Sequence, residues 1–213
     1  MSSLPTPTRL PSGRHTLTAE DVAGAQRERI LVATLTCVAD RGYNSTTVSD
    51  IVARAAVSRS TFYAQFGDKE KCFIAAHGYA MDQLIGLMNA ASSSLTGTTW
   101  KERLRSDLTT YLNTLADEPS LARTLHVEVL AAGPAALDHR AEMLGLLASQ
   151  TAEARELARS FDRSLAELPP AAFALYVGGL DELIRDRLRT GSSESLRGLV
   201  DPVLEAAYAL FGA

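Results

Sequence analysis

Between Gly42 and Lys69 the sequence sets three helix-start signals in quick succession, and that spacing leaves few folds open. Thr47 is followed three residues later by Asp50, the pattern in which a hydroxyl and a carboxylate satisfy backbone amides at the start of a helix. Val48, Ile51, Val52 and Ala55 then share one stripe of a short helix. A break at Ala56-Val57 leads to Ser58, a second cap residue, and to a helix running from Arg59 to Phe66 with Phe62 and Phe66 four apart. Gly67-Asp68 ends that helix and caps another beginning at Lys69. Two short helices joined by so brief a turn, with a small residue first in the turn and an apolar one behind it, form a helix-turn-helix over 47–66.

The flanking sequence is helical as well. Thr18 with Asp21 caps a long alanine-rich run in which Ile30, Ala33, Cys37 and Val38 recur at helical spacing until Gly42 stops it. Before it, residues 1–17 scatter three prolines among Ser and Thr without apolar period and read as a flexible tail. Beyond Lys69 the punctuation predicts helical segments over 70–96, 99–117, 120–132, 135–164, 170–189 and 194–212. No β-branched alternation interrupts them. The expected fold is all-α, with an N-terminal three-helix module over 18–84 and a C-terminal helical bundle over 85–213.

Composition narrows the classes further. A chain of 213 residues that is 46% hydrophobic can bury a core without disulfide or metal, and its two cysteines, Cys37 and Cys72, lie in apolar helical patterns with no ligand spacing around them. No stretch reads as a membrane span and no secretion signal opens the chain, so the expectation is a soluble, cytoplasmic protein. The net charge of -4 is uneven: residues 1–84 carry nine Lys or Arg against eight Asp or Glu, while the remainder carries twelve against seventeen. The front half is therefore the part able to approach a polyanion.

The run from Gly42 through Ala53, followed by Ala56-Val57-Ser58-Arg59-Ser60-Thr61-Phe62-Tyr63-Ala64-Gln65-Phe66-Gly67-Asp68-Lys69-Glu70, closely resembles the DNA-binding module of TetR-family transcriptional regulators. The resemblance covers roughly residues 24–84. Where the family usually has glycine in the turn and before the central Thr, this chain has Ala56 and Ser60. Ala56 bears on the turn, because a positive φ costs alanine more than glycine.

The second helix of such a motif enters the major groove by its N-terminal residues, which here presents Ser58, Arg59, Ser60 and Thr61 to double-stranded DNA. Arg59 is the best base reader, since its guanidinium fork matches a guanine edge, a pairing worth ~1–3 kcal/mol. Tyr63 is a phosphate candidate, as the resemblance implies for the family's equivalent tyrosine. Lys69 combines its charge with the free amides of a helix start, an expected phosphate site. Thr47 and Gln65 are weaker candidates.

In proteins of this resemblance the bundle binds a small-molecule effector and forms a homodimer. Phe173, Val177, Leu180 and Ile184 form one stripe, Leu196, Val200, Val203, Ala207 and Leu210 another, and Gly178-Gly179 admit a close neighbour, so these helices are expected to pair between subunits. Trp100, Met81, Met88, Tyr111 and His126 could line a pocket, although such residues at helical spacing are more often plain core. Few aligned charges over 84–115 favour a largely apolar effector. The four histidines are scattered, and neither a phosphate loop nor a nucleophile arrangement appears, which excludes the common catalytic and metal signatures and predicts neither enzyme activity nor cofactor. The reading is a ligand-responsive regulator, most simply a repressor on a palindromic operator. Two alternatives stay open: an architectural or cell-division factor on the same module without effector, and an all-helical enzyme or carrier. A buried carboxylate–histidine cluster converging in the bundle would favour the last.

Overall fold

A computed structural model of the chain describes residues 18–93 and 99–212, and every regular element among them is helical. The predicted tail over 1–17 and the break near Gly97 lie outside the described residues. The first helix, α1, spans Ala19–Arg41, and Thr18 and Asp21 form the capping box anticipated from their spacing. Gly42 closes it at φ 79°, donating to the Val38 carbonyl.

The two helices of the turn motif are α2 (Val48–Ala55) and α3 (Arg59–Gln65). Ile51, Ala55 and Phe62 turn inward against Ile30, Leu35 and Cys37 of α1, so the small module has its own apolar centre. Helix α4 (Lys69–Ser93) carries that centre onward: Cys72, Ala76, Ala80, Met81 and Leu84 belong to the same continuous core as Leu108, Leu112 and Leu115 of α5 (Trp100–Asp117). A smaller cluster of Val38, Tyr43, Phe73, Val129 and Ala136 sits where module and bundle meet.

The segment expected over 120–132 divides into α6 (Pro119–His126) and a 3₁₀ turn, Glu128–Ala131. α7 follows over Pro134–Phe161 and ends short of the expected 164, because Asp162 accepts the Ser164 amide at 3.0 Å in a turn that competes with the helix. α8 spans Pro170–Thr190. The last segment begins as a 3₁₀ helix, Ser193–Leu199, and becomes α9 only over Val200–Phe211. Pro202 accounts for the late start, since it lacks the N–H that an earlier α-helical turn would need and fits only near a helix beginning.

The two stripes expected to pair between subunits point into the protomer instead. Phe173, Val177 and Ile184 are buried, Leu180 is half-buried, and they meet Leu196, Val203, Ala207 and Phe211 inside one chain. Only Leu210 of the second stripe is exposed. Helical period identifies an apolar face but not what covers it.

Candidate nucleic-acid interface and bundle cavity

The turn between α2 and α3 is built by local chemistry. Thr47 accepts the Asp50 amide at 3.2 Å while Asp50 accepts the Thr47 amide at 2.9 Å. Ala56 adopts the left-handed conformation, φ 52° and ψ 50°, and is the one non-glycine residue of positive φ among the described residues. The Val57 amide donates to the Val52 carbonyl at 3.1 Å, closing the end of α2. Ser58 then caps α3 by accepting the Thr61 amide at 3.0 Å, and its hydroxyl lies 2.7 Å from that of Ser60 and 2.9 Å from that of Thr61.

The predicted readers divide into three groups. Arg59, Ser60 and Tyr63 stand exposed on the outer face, Tyr63 at 52% and edge-on to buried Phe62. Arg59 Nη2 reaches back to donate to Ser49 Oγ on α2, a partner that spacing alone did not single out. Ser58, Thr61 and Thr47 are engaged in caps. Gln65 donates from Nε2 to the Ala23 carbonyl at 2.9 Å and so ties α3 to α1.

Lys69 departs most from expectation. Its ammonium donates to the carbonyls of Tyr43 and Thr46, both at 2.9 Å, and lies 4.1 Å above the Tyr43 ring. Burial holds its pKa below the ordinary lysine value. Of the amides at the start of α4, that of Lys71 is taken by Asp68 at 2.7 Å. Lys69 thus fastens the 43–46 loop to α4.

That loop has a second tether. Glu128, on the 3₁₀ turn after α6, accepts the Tyr43 amide at 2.8 Å across 85 positions of sequence and pairs with Arg123 at 3.4 Å. A Cβ on Gly42 would stand 3.3 Å from the Glu128 carboxylate, so this position needs glycine both for its positive φ and for the close approach.

Inside the bundle lies a cavity of about 410 Å³. Its walls are largely apolar, with Ile85 and Met88 of α4, Leu104 and Leu108 of α5, Leu147 of α7 and Ile184 of α8, joined by Trp100, Tyr111 and Tyr176. Of the residues considered for a pocket, Trp100, Met88 and Tyr111 line it, while Met81 and His126 pack in the surrounding core. The polar lining includes Asp107, Asp181 and Arg155. Asp107 accepts the Ser92 hydroxyl, and burial raises its pKa. Burial likewise raises the Tyr176 phenol, with the Asp107 charge adding to it.

One end of the cavity opens onto a buried polar chain. The Tyr111 hydroxyl lies 3.2 Å from His126 Nε2, and His126 Nδ1 donates to Asp181 Oδ1 at 2.8 Å. Arg140 and Arg185 also pair with Asp181. Burial pushes the Asp181 pKa up, but the His126 hydrogen bond and the charges of His126, Arg140 and Arg185 outweigh it and leave the carboxyl below its ordinary value. Nearby, His77 Nε2 faces the Leu125 carbonyl at 3.3 Å and its Nδ1 faces His139 at 3.2 Å; burial lowers the His77 pKa to about 4. This is the converging carboxylate–histidine cluster that would have favoured an enzyme. Its carboxylate, however, already accepts from His126, Arg140 and Arg185. No group of three or more metal-ligating residues occurs among the described residues.

Residues 30–76 match the profile of the family described as bacterial regulatory proteins, tetR family. No curated protein sequence matches the chain. Among solved structures, the fatty acid degradation regulator FadR from Bacillus halodurans superimposes with a TM-score of 0.70 at 24% identity, covering 87% of this chain and 98% of that one. The transcriptional regulator FadR from Bacillus subtilis, solved in complex with stearoyl-CoA, gives 0.73 at 22% identity, with 84% and 96% covered. A bacterial regulatory protein of the tetR family from Rhodococcus RHA1 gives 0.64 at 20%, with 87% and 96% covered. These likenesses establish a shared fold. No helix among the described residues is long and apolar enough to cross a membrane.

Proposed function

We propose that this chain, a TetR-family transcriptional regulator by its N-terminal module, is a homodimeric repressor that binds a palindromic operator and is released by a largely apolar effector in the bundle. Proteins of this family regulate by binding DNA and are not enzymes. In this proposal residues 18–84 serve DNA and residues 85–213 serve ligand and pairing.

The observation that carries the proposal is that α4 runs unbroken from Lys69, beside the turn motif, to Ile85 and Met88 in the cavity wall. A molecule that fits the cavity only when α4 shifts would alter the separation of two Arg59-bearing helices. Differential affinity for the two spacings is the whole source of such a switch. The stearoyl-CoA bound to the Bacillus subtilis neighbour supports an effector with an apolar chain.

Arg59 exchanges Ser49 for a guanine edge, while Ser60 and Tyr63 face the same groove and Ser58, Thr61 and Thr47 shape the approach. Lys69 and Gln65 act through position, holding the loop and α3. For pairing, the exposed face of α8 offers Ala171, Leu175, Gly179 and Leu183, and that of α9 offers Pro202, Ala206, Ala209 and Leu210. A Cβ on Gly178 or Gly179 would meet nothing within 4 Å, which leaves room for the backbone of a partner helix.

The test is operator selection followed by titration at several salt concentrations. Arg59→Ala should relax preference at particular base pairs by ~1–3 kcal/mol. Loss of affinity spread evenly over all sequences would remove Arg59 from the readout, and a monomer that still binds its operator tightly would remove the dimer.

A further inference from the structure

Arg155 is the one lysine or arginine that is fully buried among the described residues, with 3% of its surface exposed. It rises from α7 into the space between α5 and the end of α9, where its guanidinium carbon lies 5.3 Å from the centre of the Trp100 ring. Nη2 donates to the Phe211 carbonyl at 2.9 Å, so the negative end of the α9 dipole meets part of the charge. Nε and Nη1 are buried without any acceptor. Of the carboxylates near it in sequence, Glu153 is exposed to solvent, Glu156 takes both arms of Arg159, and Asp162 takes Ser164. A buried cation with unpaired donors is costly, because it loses hydration and receives too little in return.

The cavity beside it supplies a place for the missing partner. Trp100, Arg103, Leu104, Asp107, Leu108 and Tyr111 all face this space, a sequence of helical steps that carries it along one side of α5. At 1.5 Å per residue the lining from Trp100 to Tyr111 extends ~16 Å. Arg155 stands at the Trp100 end, and the Tyr111–His126 contact stands at the other. The walls between are mostly apolar, as the site of an extended hydrocarbon or aryl body requires.

We infer that the effector is an amphipathic monoanion, with its carboxylate seated on Arg155 and its apolar body lying along α5 toward Tyr111. This rests on the effector-pocket reading above and gives that pocket a direction and a head-group chemistry. Arg155 is the buried cation of this cavity, Arg103 on its wall being exposed to solvent, and a single buried cation with donors to spare balances one negative charge. A doubly charged head would leave a surplus beside Asp107, which faces the same space. The tail then ends against the polar chain through His126 to Asp181, close to the helix that leads to Glu128 and the DNA-side loop.

The full chain can be tested with two fluorescent probes that differ only in an anionic group, anilinonaphthalene sulfonate and phenylnaphthylamine, each displaced by decanoate and by decanol. Water itself favours transfer of the alcohol, so any preference for the acid comes from the site. Wild-type protein should bind decanoate at least about tenfold more tightly than decanol. Arg155→Met should abolish that preference and leave decanol binding within about twofold, since the methionine replaces the stem and not the charge. Arg155→Lys should keep part of it. A purely structural arginine would weaken acid and alcohol together, and that result overturns the inference, as does equal affinity for the two in the wild type or a preference that survives in Arg155→Met. Should Arg155→Met fail to fold, the wild-type comparison and Arg155→Lys decide. If neither probe binds and neither displacer is seen by calorimetry, the apolar effector pocket falls, and the head-group assignment falls with it.

Discussion

Ala56 holds a conformation that glycine would hold at lower energy, and replacing it should stabilise the protein. Its φ of 52° and ψ of 50° lie in the left-handed region, where a Cβ costs about 1–2 kcal/mol. The residue is exposed, so removing its methyl group loses little packing. Against the gain stands the greater freedom of glycine in the unfolded chain, worth about 0.4–1 kcal/mol. The balance for Ala56→Gly is a net stabilisation of about 0.5–1 kcal/mol, which in a chain of this size raises Tm by about 1–4 °C. Urea unfolding at fixed protein concentration gives the check, because the apparent stability of the proposed dimer would depend on concentration. The midpoint should rise with the slope unchanged. Ala55→Gly, one residue earlier in buried helix, should lower it. A fall in midpoint for Ala56→Gly would refute the argument and place the strain elsewhere in the turn.

His77, held at a pKa of about 4 by burial, is neutral in the folded chain and takes up a proton more readily when unfolded. Stability should therefore decline as pH falls from about 6.5 to about 4, by on the order of 3 kcal/mol, and His77→Gln should flatten that decline in pH-dependent urea midpoints. Glu128→Ala leaves the Tyr43 amide without its acceptor. It should cost about 1–3 kcal/mol and weaken operator binding with Arg59 intact, and unchanged stability and DNA affinity would show the link to be incidental. Cys72, whose thiol burial pushes up to about 11, and Cys37, also raised by burial, should resist a disulfide reagent at neutral pH until the chain unfolds. Rapid labelling of either cysteine in native protein would contradict the buried assignment.

What the sequence revealed follows the range of the forces involved. Thr18 with Asp21, Thr47 with Asp50, and Ser58 with Thr61 act within one helical turn, so spacing alone located α1, α2 and α3. The doubt raised by Ala56 was legible for the same reason, since a turn of that length demands a positive φ whoever occupies it. The tethering contacts of Lys69 were not legible because its partners, the carbonyls of Tyr43 and Thr46, are main-chain atoms that no side-chain pattern announces. Glu128 and Arg155 were missed because each acquires its role from a distant segment, Tyr43 in one case and the end of α9 in the other. The face of α8 left open by the fold carries Ala171, Gly179 and Leu183, too small and mixed to stand out beside Phe173 and Val177.

The tether between Glu128 and Tyr43 bears on how such chains can be recombined. A hybrid made by joining the front of this protein to another bundle at the middle of α4 would keep every residue proposed to face DNA, yet it would hang the 42–46 loop on a neighbour that no longer supplies the Glu128 acceptor. Grafts that travel with α6 and its 3₁₀ turn, and so keep Glu128 opposite Tyr43, should preserve operator choice. Grafts cut by linear domain boundary should lose it, and the seam along which this molecule can be divided is therefore a surface in three dimensions that crosses the sequence twice.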